Sequence, residues 1–214
     1  RSTRVRSSAA SDVYKRQDFV LRPNRWLDVT GMLSLGDWQW DSDSKGYIYD
    51  TQGQPLTKAL DGTVASGIMA EDHAWLNLKQ KGIKVGGSAQ TTGALGVTVR
   101  PMKGLRVSAD WNAYGNNYAD FYIGSQTSLS GNSTVDVKDP WKIPWGHQLD
   151  LSASYAFKIG NVRATIYGNV NNVYDYNYIM DAQCAAADEG IWQNVYAVMY
   201  SFGRTYTVRL KINF

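Results

Sequence analysis

Residue types that do chemistry are sparse in this chain, and they fall in a few places. Asp41-Ser42-Asp43-Ser44-Lys45-Gly46 sets carboxylates at alternate positions ahead of a glycine, as a calcium loop does. Lys45 stands where a third acid should, and the closing bidentate acid is absent, so a solvated turn is the expectation. Asp139-Pro140-Trp141-Lys142-Ile143-Pro144-Trp145-Gly146-His147 carries two indoles among prolines. Trp141 and Trp145 are therefore candidates for stacking on a sugar ring or a flat ligand; the same segment equally suits a rigid loop packed on the rim of a larger structure. His73 and His147 are too isolated for acid-base or metal work, and Cys184 is the single cysteine. With no CxxC, His/Cys cluster, nucleophile elbow, phosphate loop or paired acid at working spacing, the expectation is no catalytic residue, no metal, no cofactor and no enzymatic activity.

The elements that would position these residues are strands. From Phe214 apolar residues step back two at a time through Ile212, Leu210, Val208 and Tyr206, with Asn213, Lys211, Arg209, Thr207 and Thr205 between them. A period of two is a strand with one apolar and one polar face. Its length suits a tilted crossing of a bilayer's hydrocarbon core, and equally a sandwich strand. Similar runs recur upstream. Leu27, Val29, Leu33 and Leu35 alternate with Asp28, Thr30 and Ser34; Leu95, Val97 and Val99 with Thr98 and Arg100; Leu105, Val107, Ala109 and Trp111 with Arg106, Ser108, Asp110 and Asn112. Leu149, Leu151, Ala153, Tyr155 and Phe157 alternate with Gln148, Asp150, Ser152 and Ser154, and Val162, Ala164, Ile166 and Val170 with Arg163, Thr165, Tyr167 and Asn169.

Connections between the runs are of two kinds. Arg22-Pro23-Asn24-Arg25, Arg100-Pro101-Met102-Lys103-Gly104 and Lys158-Ile159-Gly160-Asn161 read as tight hairpin turns, the prolines marking where one strand stops. Residues 42 to 85, 117 to 145 and 175 to 202 are long and rich in Gly, Asn, Asp, Ser and aromatics. Compact soluble domains seldom carry several connections of that length. Short turns alternating with long loops are the asymmetry of an antiparallel up-and-down transmembrane β-barrel, tight turns in the periplasm and long loops outside. Residues 46 to 51 and 75 to 79 alternate well enough to extend hairpins above the membrane. Trp38, Trp40, Trp111, Tyr114 and Tyr118 fall toward the long loops and Trp26 beside a tight turn, as interfacial aromatic girdles would.

Composition is compatible with this reading. The chain has 214 residues, 43% of them hydrophobic, with 8 Trp and 14 Tyr. It lacks a run of about 18 apolar residues, which excludes a membrane-spanning helix but not a barrel, whose lipid face is hidden in alternation. Residues 1–17 are basic and Ser-rich, share no periodicity with the rest of the chain, and resemble a junction from translated environmental assemblies; they are expected to be non-native or disordered. Leaving out their five basic residues and one acid changes 22 Lys+Arg against 19 Asp+Glu into 17 against 18. The apparent basicity thus argues for no nucleic-acid partner.

Asn169-Val170-Asn171-Asn172-Val173-Tyr174-Asp175-Tyr176-Asn177-Tyr178 resembles the Asn-Leu-Phe-Asp-x-x-Tyr signature of TonB-dependent outer-membrane receptors, with Val173 and Tyr174 for Leu and Phe. Ser201-Phe202-Gly203-Arg204-Thr205 is similar to that family's Gly-x-Pro-Arg-Thr approach to its last strand, Phe202-Gly203 replacing Gly-x-Pro. The two Arg-Pro turns resemble its periplasmic turns, and the likeness runs through most of residues 18–214. The resemblance implies a Gram-negative outer-membrane location and a barrel of roughly 22 strands plugged by an N-terminal domain. Residues 18–214 would form its C-terminal wall, about six long strands plus a stub, open rather than closed. Partners would be outer-membrane lipid, the plug domain and TonB complex through the missing N-terminal part, and the barrel-assembly machinery reading Tyr206, Val208, Leu210, Ile212 and Phe214. The parent would take up a scarce ligand such as a siderophore or other metal chelate, a vitamin or a glycan. Arg106, Asp110, Asp150, Arg163, Arg209 and Lys211 would face the lumen, against the plug or paired with one another. The other expectation is a soluble or surface all-β carbohydrate-binding module built on Trp141 and Trp145, its apolar strand faces packed together.

Overall fold

A computed structural model describes residues 2–5, 10–49, 52–57, 73–122, 133–186 and 188–213, with the backbone alone for residues 2–5, 10–14, 122 and 133. In chain order the strands are β1 (Ser2–Val5), β2 (Ala10–Asn24), β3 (Leu27–Trp40), β4 (Ser44–Tyr49), β5 (Trp75–Lys79), β6 (Thr91–Met102), β7 (Leu105–Gly115) and β8 (Asn117–Tyr118). There follow β9 (Asp120–Tyr122), β10 (Ser133–Asp136), β11 (Lys142–Ile143), β12 (Gly146–Ile159), β13 (Val162–Asn171), β14 (Ile179–Ala185), β15 (Val195–Tyr200) and β16 (Thr205–Asn213). The protein is all-β. Its main sheet has seven antiparallel strands in the order β16-β13-β12-β7-β6-β3-β2 and does not close.

Each alternating run of the sequence becomes one strand of this sheet, and the seventh, β2, begins at Ala10, inside the 1–17 segment. Its pairing with β3 is continuous from Ala10↔Trp40 to Leu21↔Val29. The three tight turns close where Asn24 meets Leu27, Met102 meets Leu105 and Ile159 meets Val162, all at one end of the sheet. Gly104 holds φ +86 in the second of them, a left-handed conformation that glycine adopts without a Cβ clash.

Register carries the alternation across β3, β6, β7, β12, β13 and β16. One row on the apolar face runs Val29, Val97, Ala109, Leu151, Val170, Tyr206. The neighbouring row on the other face runs Asp28, Thr98, Ser108, Ser152, Asn169, Thr207. Period-two side chains make this inevitable once the register is set, since a one-residue slip would exchange the faces. The apolar face is uncovered: Leu33, Leu35, Leu95, Leu151, Tyr155 and Ile166 are all exposed. The polar face is the better protected, with Ser34 and Ser108 buried and Thr98 hydrogen-bonded to Ser108 at 2.9 Å.

Among the described residues the apolar core lies almost wholly outside the main sheet. The described parts of the three long connections fold into a second lobe. Within it β4 pairs with β5, β8 with β11 and β14 with β15, and two parallel pairs, β5 with β10 and β9 with β14, stitch the connections together. Leu76, Leu78, Val135, Val137 and Ala186 form one buried cluster and Ala119, Ile143, Ala182 and Cys184 a second, with Phe121 packed against both. Ile48, Leu56 and Ala74 form a third. The hairpin expected over residues 46–51 and 75–79 is present as β4 and β5; residues 50 and 51 lie outside the described residues.

Candidate functional site

Parity sorts the aromatic residues differently from their height along the strands. Trp38 and Trp40 share the parity of Asp28, Thr30 and Ser34 on β3, so they stand on the polar face and not in an outward girdle. Both indole nitrogens are buried, and the Trp40 ring packs 6.3 Å from Phe121 of the lobe. Tyr114 is likewise on the polar face, in the row Ser34, Thr92, Tyr114, Gly146. Trp111 is on the apolar face and exposed, and Trp26, beside its tight turn, is exposed too. Tyr118 carries the Lys142 ammonium 5.9 Å from its ring centre.

Trp141 and Trp145 have different surroundings. Trp141 belongs to the lobe, packed against the cluster around Cys184 and 5.2 Å from the Trp192 ring. Trp145 is 56% exposed, and its ring lies over Gly115, where a Cβ would collide with it. Its odd parity matches Leu149 and Leu151, so it extends the apolar face toward the lobe end. The structure does not join these two indoles into one platform. In the Asp41–Gly46 turn, Asp43 accepts hydrogen bonds from the backbone N–H groups of Gln80 and Lys81, each at 3.0 Å, which is the work of a turn acid.

All six lumen candidates lie on the polar face. Asp110 stands opposite Asp150; Arg106, Ser154, Tyr167 and Arg209 form one row, with the Arg209 guanidinium 4.7 Å over the Tyr167 ring; Arg163 and Lys211 lie toward the tight turns. Among the described residues no ion pair joins any of the six. Charge pairing within this face is carried instead by Asp28, held by Arg100 at 2.6 Å with Arg22 at 3.8 Å, and by Arg16 with Asp18 at 2.9 Å. Tyr206, Val208, Leu210 and Ile212 are exposed along β16, which among the described residues pairs only with β13, while Phe214 lies outside them.

The richest arrangement is where the polar face meets the lobe. The Tyr178 ring covers Gly146 and stacks on Tyr114 with centroids 5.8 Å apart and planes 23° from parallel. Tyr176 follows at 6.3 Å, His147 stacks on Tyr176 at 5.0 Å and 17°, and Tyr174 meets His147 edge-on at 6.1 Å; His147, opposite Ala113, has the parity of Leu149, so the series passes from the polar face at Tyr114 to the apolar face at His147. A cavity of about 360 Å³ opens beside Tyr114 and Tyr178, lined also by Thr92, Asn117 and Met180. This size is in the range of small-molecule sites.

Asn172 holds the staircase in shape. It is buried, with φ 52, and its amide donates to the carbonyls of Tyr176 (3.1 Å) and Phe202 (3.0 Å) while accepting from the Tyr176 N–H (3.2 Å). Its own N–H donates to Asp150 Oδ1 at 2.8 Å, and the Gln148 amide donates to the same oxygen at 2.7 Å. Ser201 and Tyr178 exchange hydrogen bonds of 3.0 and 2.8 Å, and the Arg204 N–H donates to Asp175. The two segments that carry the resemblance in sequence are thus pinned to each other. Burial pushes the Tyr178 phenol above its ordinary range, with smaller effects from Tyr114 and the Asp150 carboxylate, so it stays a protonated donor. In the lobe, burial likewise raises the Cys184 thiol, which donates to the Asp120 carbonyl at 3.7 Å.

Sequence reasoning did not single out Tyr114, Tyr174, Tyr176, Tyr178 and Asn172 as a site. The signal was available in part: Tyr174, Tyr176 and Tyr178 are spaced by two, and Tyr114 shares the parity of Asp110. No family model matches this chain, and no curated protein matches its sequence.

Proposed function

We propose that this chain is part of the wall of a transmembrane β-barrel, the C-terminal portion of a TonB-dependent outer-membrane receptor that takes up a scarce ligand in a Gram-negative bacterium. The observation that carries the reading is the exposed apolar face shared by β3, β6, β7, β12, β13 and β16, backed by a polar face that is better protected. In water such a face is far larger than a monomer leaves uncovered. In lipid it is the face expected of a barrel wall, with tight turns at one end and a folded lobe at the other.

Sheet edges bear on the rest of the barrel. β2 and β16 are separated by five strands in an all-antiparallel sheet, so they run in the same direction. Neither these two edges nor those of a second copy inserted in the same direction can pair antiparallel directly; antiparallel closure takes an odd number of further strands, and the total is then even, as in bacterial single-chain barrels. The open edges would otherwise be left with unpaired N–H and C=O groups, which hydrocarbon does not tolerate. Supplying those strands, the plug and the TonB contact falls to other parts of the receptor, and the β16 stripe is the element for the assembly machinery.

A soluble carbohydrate-binding module would need a second sheet over Leu149, Leu151 and Tyr155, and among the described residues none packs there. The test is twofold. Refolded into vesicles of brominated lipid, the chain should lose tryptophan fluorescence, less so in Trp111→Phe; unquenched emission overturns the wall reading. Recovery of the upstream reading frame should bring a signal peptide and a plug domain; a soluble enzyme there overturns the receptor.

A further inference from the structure

We infer that the polar face docks a protein surface of inverse charge order, with carboxylates against its tight-turn half and a cation against Asp110 and Asp150; this rests on that face being the lumen of the proposed receptor. Register divides the face by charge. From Thr98 through Ser108, Ser152 and Asn169 to Thr207 one row is uncharged. Two residues nearer the tight turns stand Arg106 and Arg209, then Lys211, and last Lys158 directly opposite Arg163. Asp28 is already shared there by Arg100 and Arg22. Two residues nearer the lobe than the uncharged row the sign changes, with Asp110 opposite Asp150. On β2, Arg16 and Asp18 neutralise each other.

Both halves thus contain like charges set directly opposite each other, Lys158 with Arg163 and Asp110 with Asp150. Opposed like charges weaken a ladder unless a counter-charge lies between them. Among the described residues none of these four has an ion pair, and neither has Arg106, Arg209 or Lys211. Arg106, Lys158, Arg163, Arg209 and Lys211 are exposed, so their charges are open to a partner.

Distance and sign select the occupant. Asp150 and Lys158 are eight residues apart on β12, which is about 27 Å along a strand. A pocket-sized small molecule does not reach both ends. A polyanion of one sign, such as a nucleic acid, would meet Asp110 and Asp150 with like charge, and like-charge juxtaposition rejects a partner. Lipid meets the opposite, apolar face. A polypeptide carries both signs in a fixed order, and a helix of about 20 residues spans about 30 Å.

The experiment uses the full chain in uncharged detergent micelles, with Cys184 protected from alkylation as proof of a folded lobe. Two fluorescent helical peptides of about 20 residues and identical composition are titrated by anisotropy. One carries glutamates in its N-terminal half and arginines in its C-terminal half; the other alternates them. At low salt the block peptide should bind about tenfold more tightly, in line with a few exposed ion pairs, and the preference should fade at high salt. Lys158→Glu combined with Arg163→Glu should abolish the preference, and Asp110→Arg should reduce it. Lys45→Glu, at an ammonium that lies over Trp75 in the lobe, should leave it unchanged. Equal affinity for the two peptides, a preference indifferent to the charge reversals, or no binding by the folded chain overturns the inference. Retention of phosphatidylglycerol in place of the block peptide overturns it too. Quenching by brominated lipid is scored independently: a chain that inserts but does not distinguish the peptides refutes the docking surface alone, whereas one that fails to insert refutes the membrane wall.

Discussion

Asp110 on β7 and Asp150 on β12 stand directly opposite each other on the polar face, two carboxylates at one step of the ladder. The two are not equivalent. Asp150 accepts from the Asn172 backbone and the Gln148 side chain, whereas Asp110 lies against Gly96, in a space that a Cβ there would fill. Like charges in opposed positions are unfavourable by roughly 0.2–1 kcal/mol. Asp110→Asn should therefore stabilise the chain by up to about that amount. Asp150→Ala should do the reverse, by about 1–3 kcal/mol, because it leaves the Asn172 N–H without its acceptor. Urea unfolding in micelles measures both.

The second tight turn sets a stricter requirement. Gly104 is left-handed, and a Cβ on it would collide with the Ala156 carbonyl oxygen of β12. Gly104→Val should cost at least about 1–2 kcal/mol from the backbone conformation alone. It should also slow refolding into micelles, read by the electrophoretic shift between folded and unfolded chain.

Neighbouring residues on β12 separate the two faces. Leu151 is exposed on the apolar face, and Ser152 points to the other side. In a bilayer Leu151→Arg should destabilise insertion by about 2–4 kcal/mol, while Ser152→Arg should cost much less. Equal effects of the two substitutions would mean that the exposed face does not meet lipid.

Alkaline lability should be confined to the lobe. The Cys184 thiol is raised in the folded chain from its ordinary 9.0, and the Tyr178 phenol from its ordinary 10.0. The folded state therefore holds these protons more tightly than the unfolded one, and ∂ΔG/∂pH is negative in that window. Their contribution is fully present below the unfolded values and is lost as pH rises through them toward the raised folded values. Alkylation of Cys184 by iodoacetamide should be slow at pH 7, accelerate above about pH 9 beyond the general rise in thiolate, and become less pH-steep in its onset in Tyr178→Phe.

Much of the main sheet was legible because a strand's faces are written in a period of two. The runs ending at Leu35, Val99, Trp111, Phe157, Val170 and Ile212 needed only local alternation and turn chemistry. Face assignment for Trp38, Trp40 and Tyr114 was equally legible by counting parity from Leu27 and Leu105, though height along the strand suggested a girdle instead. β2 was less so: its pairing from Ala10 onward uses backbone hydrogen bonds and does not depend on apolar side chains, so no periodicity announces it. The lobe left still less trace. Its parallel pairs, Leu76 with Ser133 and Phe121 with Cys184, join residues from different long connections, and strands this short carry no period.

Sequence alone thus determined which residues alternate, where the chain turns tightly, and that each strand has one apolar and one polar face. Those properties are local, set by backbone geometry within a few residues. Only tertiary structure decided that the apolar face stays bare, that the long connections bury their own core, and that Tyr114 meets Tyr178 beneath a turn held by Asn172. Such contacts form between segments far apart in the chain, so their partners are chosen by register and packing, which no single run of residues encodes.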